Sequence, residues 1–191
     1  MTHANNDVVL FVMSNILNKT KVYLVGHMQY VNGRGWRETV TSQLKKMGVT
    51  VFDPYSKPFI DEVNEDESVR EQLKIWMDNG DYDLVAQRMK PIRNFDLRLC
   101  DLSDFIIAHI NPSVASWGSA EEITTSVRAK KPVFISVEGG KSKTPLWIMG
   151  MVPHKYIYNN VQEVVEMLQT INSGEKMIDS DRWKLLKEEY R

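Results

Sequence analysis

From Lys21 onward, hydrophobic residues form five short strand-like runs, separated by stretches in which they recur at helical spacing. The runs are KVYLV (Lys21 to Val25), VTVFDP (Val49 to Pro54), FIIAH (Phe105 to His109), PVFISV (Pro132 to Val137) and HKYIY (His154 to Tyr158). Nearly continuous apolar positions of this length predict strands buried on both faces, as in a parallel sheet, rather than strands with one wet face. Between them, Trp36, Val40, Leu44 and Met47 predict a helix with one core-facing side, and Gly48 is placed to end it as the C′ residue. Ile92, Phe95, Leu99 and Leu102 predict a second helix over Pro91 to Leu102, and Val161 to Ile171 a third. Tyr55 to Lys90 is the least regular part, with an acidic run (Asp61, Glu62, Glu65, Asp66, Glu67) and helical patches at Ser68 to Met77 and Tyr82 to Met89. It reads as a solvated, partly helical insertion or as a lid or side wall over a site.

Strands alternating with helices specify an α/β fold. The expectation is a Rossmann-like or flavodoxin-like three-layer sandwich around a five-stranded parallel sheet, with right-handed crossovers. A chain of 191 residues is expected to form one domain, with a core over about residues 21–172. Residues 1–20, with the apolar run Val8 to Met13, and a tail over 173–191, with Trp183 and Leu186 as anchors, are read as appendages.

Composition narrows the class without choosing a function. Hydrophobic residues at 42% and charged ones at 26% are ordinary for a soluble globular chain. A net charge of −1 offers no basic footprint for nucleic acid or an acidic membrane surface. A single cysteine, Cys100, excludes an internal disulfide and fits a reducing compartment. Val8 to Met13 is too short to span a bilayer and lacks the marks of a signal peptide, so a cytoplasmic location is expected. The four histidines show no metal-ligand spacing, and neither a dinucleotide fingerprint nor a P-loop is present. No metal and no cofactor are implied.

The chemistry-bearing stretch is DFIIAHINPSVASWGSAEEITTSVRAKKPVFI, Asp104 to Ile135. It reads as strand, polar loop, a helix opening on Glu121 and Glu122, and a second strand. In open α/β sheets ligands sit beyond the carboxyl ends of strands, which is where these two acids stand. A carboxylate there can attack an anomeric carbon, as retaining glycosidases do. Against this, Ser119-x-x-Glu122 also fits a capping box, and Glu121 fits a solvated first-turn acid favoured by the helix dipole. A nucleophile would need an orienting group and an acid for the departing group. Tyr23 in the first strand suits core packing or a hydrogen bond to a carboxylate, and Asp96 suits an acid or a surface partner of Arg93 or Arg98.

In order and spacing, Tyr23-Leu24-Val25-Gly26, Asp96, Gly118-Ser119-Ala120-Glu121-Glu122 and Lys131-Pro132-Val133 resemble the motifs of the nucleoside 2-deoxyribosyltransferase family and the related deoxynucleoside monophosphate N-glycosidases. The resemblance covers about residues 21 to 160. Its register, a glutamate four after the glycine, selects Glu122 over Glu121. It implies that Glu122 attacks C1′ of a deoxyribose, that Tyr23 orients Glu122, and that Asp96 exchanges a proton with the nucleobase. It further implies substrate contacts at Gly26, His27, Gln29, Ser116, Gly118, Trp147 and Met149. Pro145 to Met149 resembles a segment that a neighbouring subunit lends to the site, so a homo-oligomer is implied, with small-molecule substrates and neither nucleic acid nor membrane as partner. Four positions depart from the pattern. Ser116 replaces the transferases' aspartate, His27 and Gln29 replace the serine and arginine of the monophosphate enzymes, and Trp147 replaces an asparagine. Base exchange is the first expectation, hydrolysis of a deoxynucleoside monophosphate the second, and a non-catalytic nucleotide-binding module the third.

Overall fold

A computed structural model describes residues 15–28, 34–57, 63 and 65–176. The expectations for Val8 to Met13, Gln29 and the 180–191 tail helix lie outside the described residues. The elements are β1 (Lys21–Gly26), α1 (Gly35–Lys46), β2 (Thr50–Phe52), α2 (Glu67–Asn79), α3 (Tyr82–Leu102), β3 (Phe105–Ile110), α4 (Trp117–Arg128), β4 (Val133–Val137), α5 (Leu146–Met151), β5 (Ile157–Tyr158) and α6 (Val161–Asn172).

All strand pairs are parallel, in the order β2-β1-β3-β4-β5. This is the flavodoxin-like order, with its topological switch between β1 and β3. Alternate residues of β1 feed two cores. Val22 and Leu24 pack with Leu44 of α1 and Leu168 of α6, whereas Tyr23 and Val25 pack with Leu99 of α3 and Ile123 of α4. The sheet is therefore covered on both faces, as the unbroken apolar runs require. Leu17, ahead of β1, is fully buried in the α1/α6 core, and its backbone N–H donates to Asn172 Oδ1 at 2.9 Å.

Gly48 ends α1 with φ 74°, in the left-handed region that the C′ position favours. A side chain there would also strike the Asn18 amide, since a Cβ would lie 2.3 Å from its oxygen. At the other end of α3, Lys131 Nζ donates to the carbonyls of Asp101 and Ser103 and so satisfies orphan acceptors of that helix.

Three elements differ from the sequence expectation. The patches at 82–89 and 91–102 form one helix, α3, with Pro91 inside it. Pro91 and the Gln87 carbonyl four residues back lie on the exposed side, where water can serve the acceptor that loses its donor. The fifth strand is only Ile157–Tyr158, because His154–Tyr156 turns as a 3-10 segment after Pro153. The second strand stops at Phe52, because Asp53 accepts from the Tyr55 N–H at 3.0 Å and starts a 3-10 turn over Pro54–Ser56.

Candidate active site

Helix α4 begins earlier than its acids suggest. Ser116 is the N-cap, its hydroxyl accepting from the Ser119 N–H at 3.4 Å, and Trp117 opens the helix. Glu121 and Glu122 therefore stand in the second turn. This corrects the capping-box reading of Glu122 and the first-turn reading of Glu121. Glu122 instead accepts a hydrogen bond from the Tyr23 hydroxyl, O···O 2.9 Å. Tyr23 has no exposed surface; β1 carries it beneath α4 on the α3/α4 face of the sheet.

A cavity of about 820 Å³ opens beyond the carboxyl ends of β1 and β2. Its lining includes Gly26, Ser116, Gly118, Glu122 and Asp96, the last from the fourth turn of α3. The α2/α3 wall supplies Arg70, Leu73, Lys74, Met89 and Ile92. The irregular stretch is thus a side wall of the cavity rather than a detached insertion. Apolar Leu73, Met89 and Ile92, with the Trp117 ring, give a surface suited to a flat heterocycle, and the acids provide the polar edge.

Gly26 meets a steric demand. A Cβ there would lie 2.9 Å from the His109 carbonyl and 3.2 Å from Arg37 Nη2. Gly118 differs, since a Cβ on it would meet nothing. His27 is buried outside the cavity lining, and burial, then the nearby Arg37 charge, lowers its pKa. Trp147 and Met149 also stand outside the lining, with Trp147 82% exposed. Among the described residues no group of three His, Cys, Asp or Glu side chains is placed to hold a metal ion.

The electrostatics of the site are dominated by desolvation. Burial pushes the Glu122 carboxyl up to about 8, helped by the Asp96 charge and opposed by the Tyr23 hydrogen bond. Burial likewise raises Asp96 to about 6, although the Lys57 ammonium lies 2.9 Å from its carboxylate. The two acids interact, so these values describe the pair: near neutrality the two carboxyls hold about one proton between them. Glu121 is set apart from this coupling. The Arg93 guanidinium donates to it, holding its pKa below the usual range, and the pair spans α3 and α4 at the surface.

Three residues of the site escaped the sequence reading. Arg37 has the pattern of a polar helix position, yet it is fully buried. Its Nη2 donates to the Gly26 carbonyl at 2.8 Å, and its Nε lies 3.6 Å from Asp53. It thereby holds the end of β1 against the end of β2. Only its place in the first turn of the helix that follows the β1 loop could have hinted at this. Arg37→Met is expected to destabilise the fold by about 3 kcal/mol, since the half-buried Asp53 and the β1 carbonyl would be left without their cation. Thermal unfolding measures it. Lys57 and Glu65, the other two, lie in irregular sequence where no periodicity points inward.

No protein-family model matches the chain. No curated protein matches it. Solved structures do. The chain superposes on a CMP N-glycosidase from Clostridium botulinum with TM-score 0.44 and 15% identity, over 78% of this chain and 98% of that one. With a conserved protein from Enterococcus faecalis V583 the TM-score is 0.43 at 13% identity, over 81% of this chain and 88% of that one. With the 2-deoxyribosyltransferase of the psychrotolerant bacterium Bacillus psychrosaccharolyticus the TM-score is 0.52 at 17% identity, over 76% of this chain and 90% of that one. The three-layer α/β fold of this chain is thus similar to that of a 2-deoxyribosyltransferase.

Proposed function

We propose that this protein cleaves the N-glycosidic bond of 2′-deoxynucleosides through a covalent deoxyribosyl-Glu122 intermediate and transfers the sugar to another nucleobase. The observation that carries this reading is the Glu122 carboxyl, fixed by the Tyr23 hydroxyl at 2.9 Å, lining one cavity with a second acid, Asp96. A nucleophile, an orienting donor and a proton source are the parts that a retaining displacement at an anomeric carbon needs. Glu122 attacks C1′ as the base departs, Asp96 gives the leaving nitrogen its proton, and an incoming base reverses both steps. Charge builds on the sugar in the oxocarbenium-like transition state, and the Glu122 carboxylate stabilises it.

The resemblance in sequence motifs and the fold shared with a 2-deoxyribosyltransferase support this reading. The test is product analysis: with deoxyinosine and free adenine the expected products are deoxyadenosine and hypoxanthine, and finding neither rules out transfer between these bases.

A second reading, hydrolysis of deoxynucleoside 5′-monophosphates, is favoured by one observation. Arg70 and Lys74, one turn apart on α2, both line the cavity and offer positive charge to an anionic substituent. Free base released from monophosphates but not from nucleosides selects it.

Tyr23→Phe is expected to lower kcat about 10- to 100-fold without unfolding the chain, the effect of one lost hydrogen bond to a charged group. Steady-state kinetics on the variant, with circular dichroism for the fold, measures this. A homo-oligomer belongs to the same proposal. Trp117, Leu146 and Trp147 are 88%, 89% and 82% exposed, and large apolar side chains of this kind are suited to burial against a second copy. Light scattering on Trp147→Asp should show a smaller species than the unmodified protein.

A further inference from the structure

Lys57 belongs to none of the motifs considered above and Glu65 only to the acidic run, yet they complete the cavity's acid. Lys57 Nζ lies 2.6 Å from Glu65 Oε1 and 2.9 and 3.1 Å from the two oxygens of Asp96. The Lys57 side chain is 2% exposed, Glu65 18% and Asp96 12%. Both carboxylates line the cavity, whereas the ammonium stands behind them. One buried cation facing two partly buried carboxylates leaves a negative charge uncompensated, and a single proton held between the acids relieves it.

We propose that Glu65 and Asp96 act as one proton-sharing carboxyl pair, clamped by Lys57, that protonates the departing base. Lys57 is a positioning residue in this arrangement, and Glu65 a second group facing the base. This inference rests on the reading of Glu122 as the attacking group. In the step, the C1′–N bond breaks with its electron pair going to the base nitrogen. That nitrogen takes the proton of the pair, and a bond forms between a Glu122 oxygen and C1′. The pair is left as two carboxylates facing Lys57. When the acceptor, an incoming base or water, attacks C1′ and frees Glu122, it returns a proton to the pair. Balance is kept without any further reactant.

The groups that bear on Asp96 come from several elements. Lys57 and Glu65 come from the segment between β2 and α2, Glu122 from α4, Tyr23 from β1 and Cys100 from α3 itself. Burial raises Asp96, Lys57 lowers it and Glu65 raises it again, so the two flanking residues pull in opposite directions.

The experiment is a pH–rate profile for base release by the full chain and by E65Q, K57M and K57R, with a carbon NMR titration of the Asp96 carboxyl in each. E65Q is expected to move the profile and the Asp96 titration to lower pH, because a like charge is gone. K57M is expected to move both to higher pH, and K57R to leave them near those of the unmodified protein. If K57M does not fold, E65Q alone decides the matter. A loss of rate in E65Q with profile and titration in place would make Glu65 merely structural and overturn the pair. Absence of base release from any deoxynucleoside or deoxynucleotide by the unmodified protein would overturn the reading of Glu122, while the titration would still report on the pair.

Discussion

Glu122→Gln is expected to abolish turnover and, in the same molecule, to raise stability at neutral pH. The first effect follows from the loss of the attacking oxygen. An amide oxygen is a poor nucleophile, and removal of a covalent nucleophile lowers kcat by about 10⁴-fold or more in well-studied enzymes. The second effect follows from where the carboxyl sits. Burial, then the Asp96 charge, raises its pKa from the ordinary 4.5 to about 8. A folded pKa above the unfolded one means that the native state holds this proton more tightly than the unfolded chain does. The fold is therefore undisturbed by Glu122 at low pH, loses stability as pH rises through the unfolded value, and bears the full penalty above the folded value. At pH 7 the penalty is on the order of 2–3 kcal/mol. Glutamine fills the same volume, can still accept from Tyr23 and carries no charge to desolvate. In a chain of this size the gain corresponds to a melting temperature higher by roughly 4–10 °C. Thermal unfolding at pH 5 and pH 8 checks it: the gap between variant and unmodified protein should widen with pH. A variant destabilised equally at both would mean that Glu122 is a structural residue.

Asp96→Asn is expected to separate substrates by their need for a proton. On ordinary deoxynucleosides the loss of a positioned acid should lower kcat/KM by about 10²- to 10⁴-fold. A purine deoxynucleoside methylated at N7 already carries positive charge in its base, which departs neutral without help. On that substrate the same variant should lose less than about tenfold, since only the acid has been removed. Equal losses on both substrates would assign Asp96 to binding instead. The unmodified protein should show a narrow bell-shaped profile, rising near pH 6 and falling near pH 8. Below that window both Asp96 and Glu122 are protonated and no nucleophile remains; above it neither is, and no acid remains.

The parts of this site legible in the sequence are those fixed by local pattern. The buried strands were readable because a parallel sheet covered on both faces leaves no polar alternation, and Tyr23 and Glu122 lay at strand and helix positions that such a sheet brings together. Helix α4 was readable but not its start: Ser116 and Ser119 can both cap, and the choice depends on the loop leaving β3. Pro91 argued for a break, and only the exposure of the helix face around it lets α3 run through. Arg37, Lys57 and Glu65 were not legible at all. Each is held by a tertiary partner outside its own local pattern, Arg37 by the end of β1 and the Lys57–Glu65 pair by Asp96 of α3. A polar residue whose burial is decided by such a partner has no periodic signature.

The central claim is that the sugar is held by Glu122 as an ester. Incubation with a deoxynucleoside, a rapid acid quench and mass spectrometry of the digested protein tests it directly. The expected result is a peptide containing Glu122 heavier by one deoxyribosyl group, absent from the Glu122→Gln variant and from protein quenched without substrate. Release of base with no adduct on Glu122 at any time point, or an adduct on another residue, would contradict it.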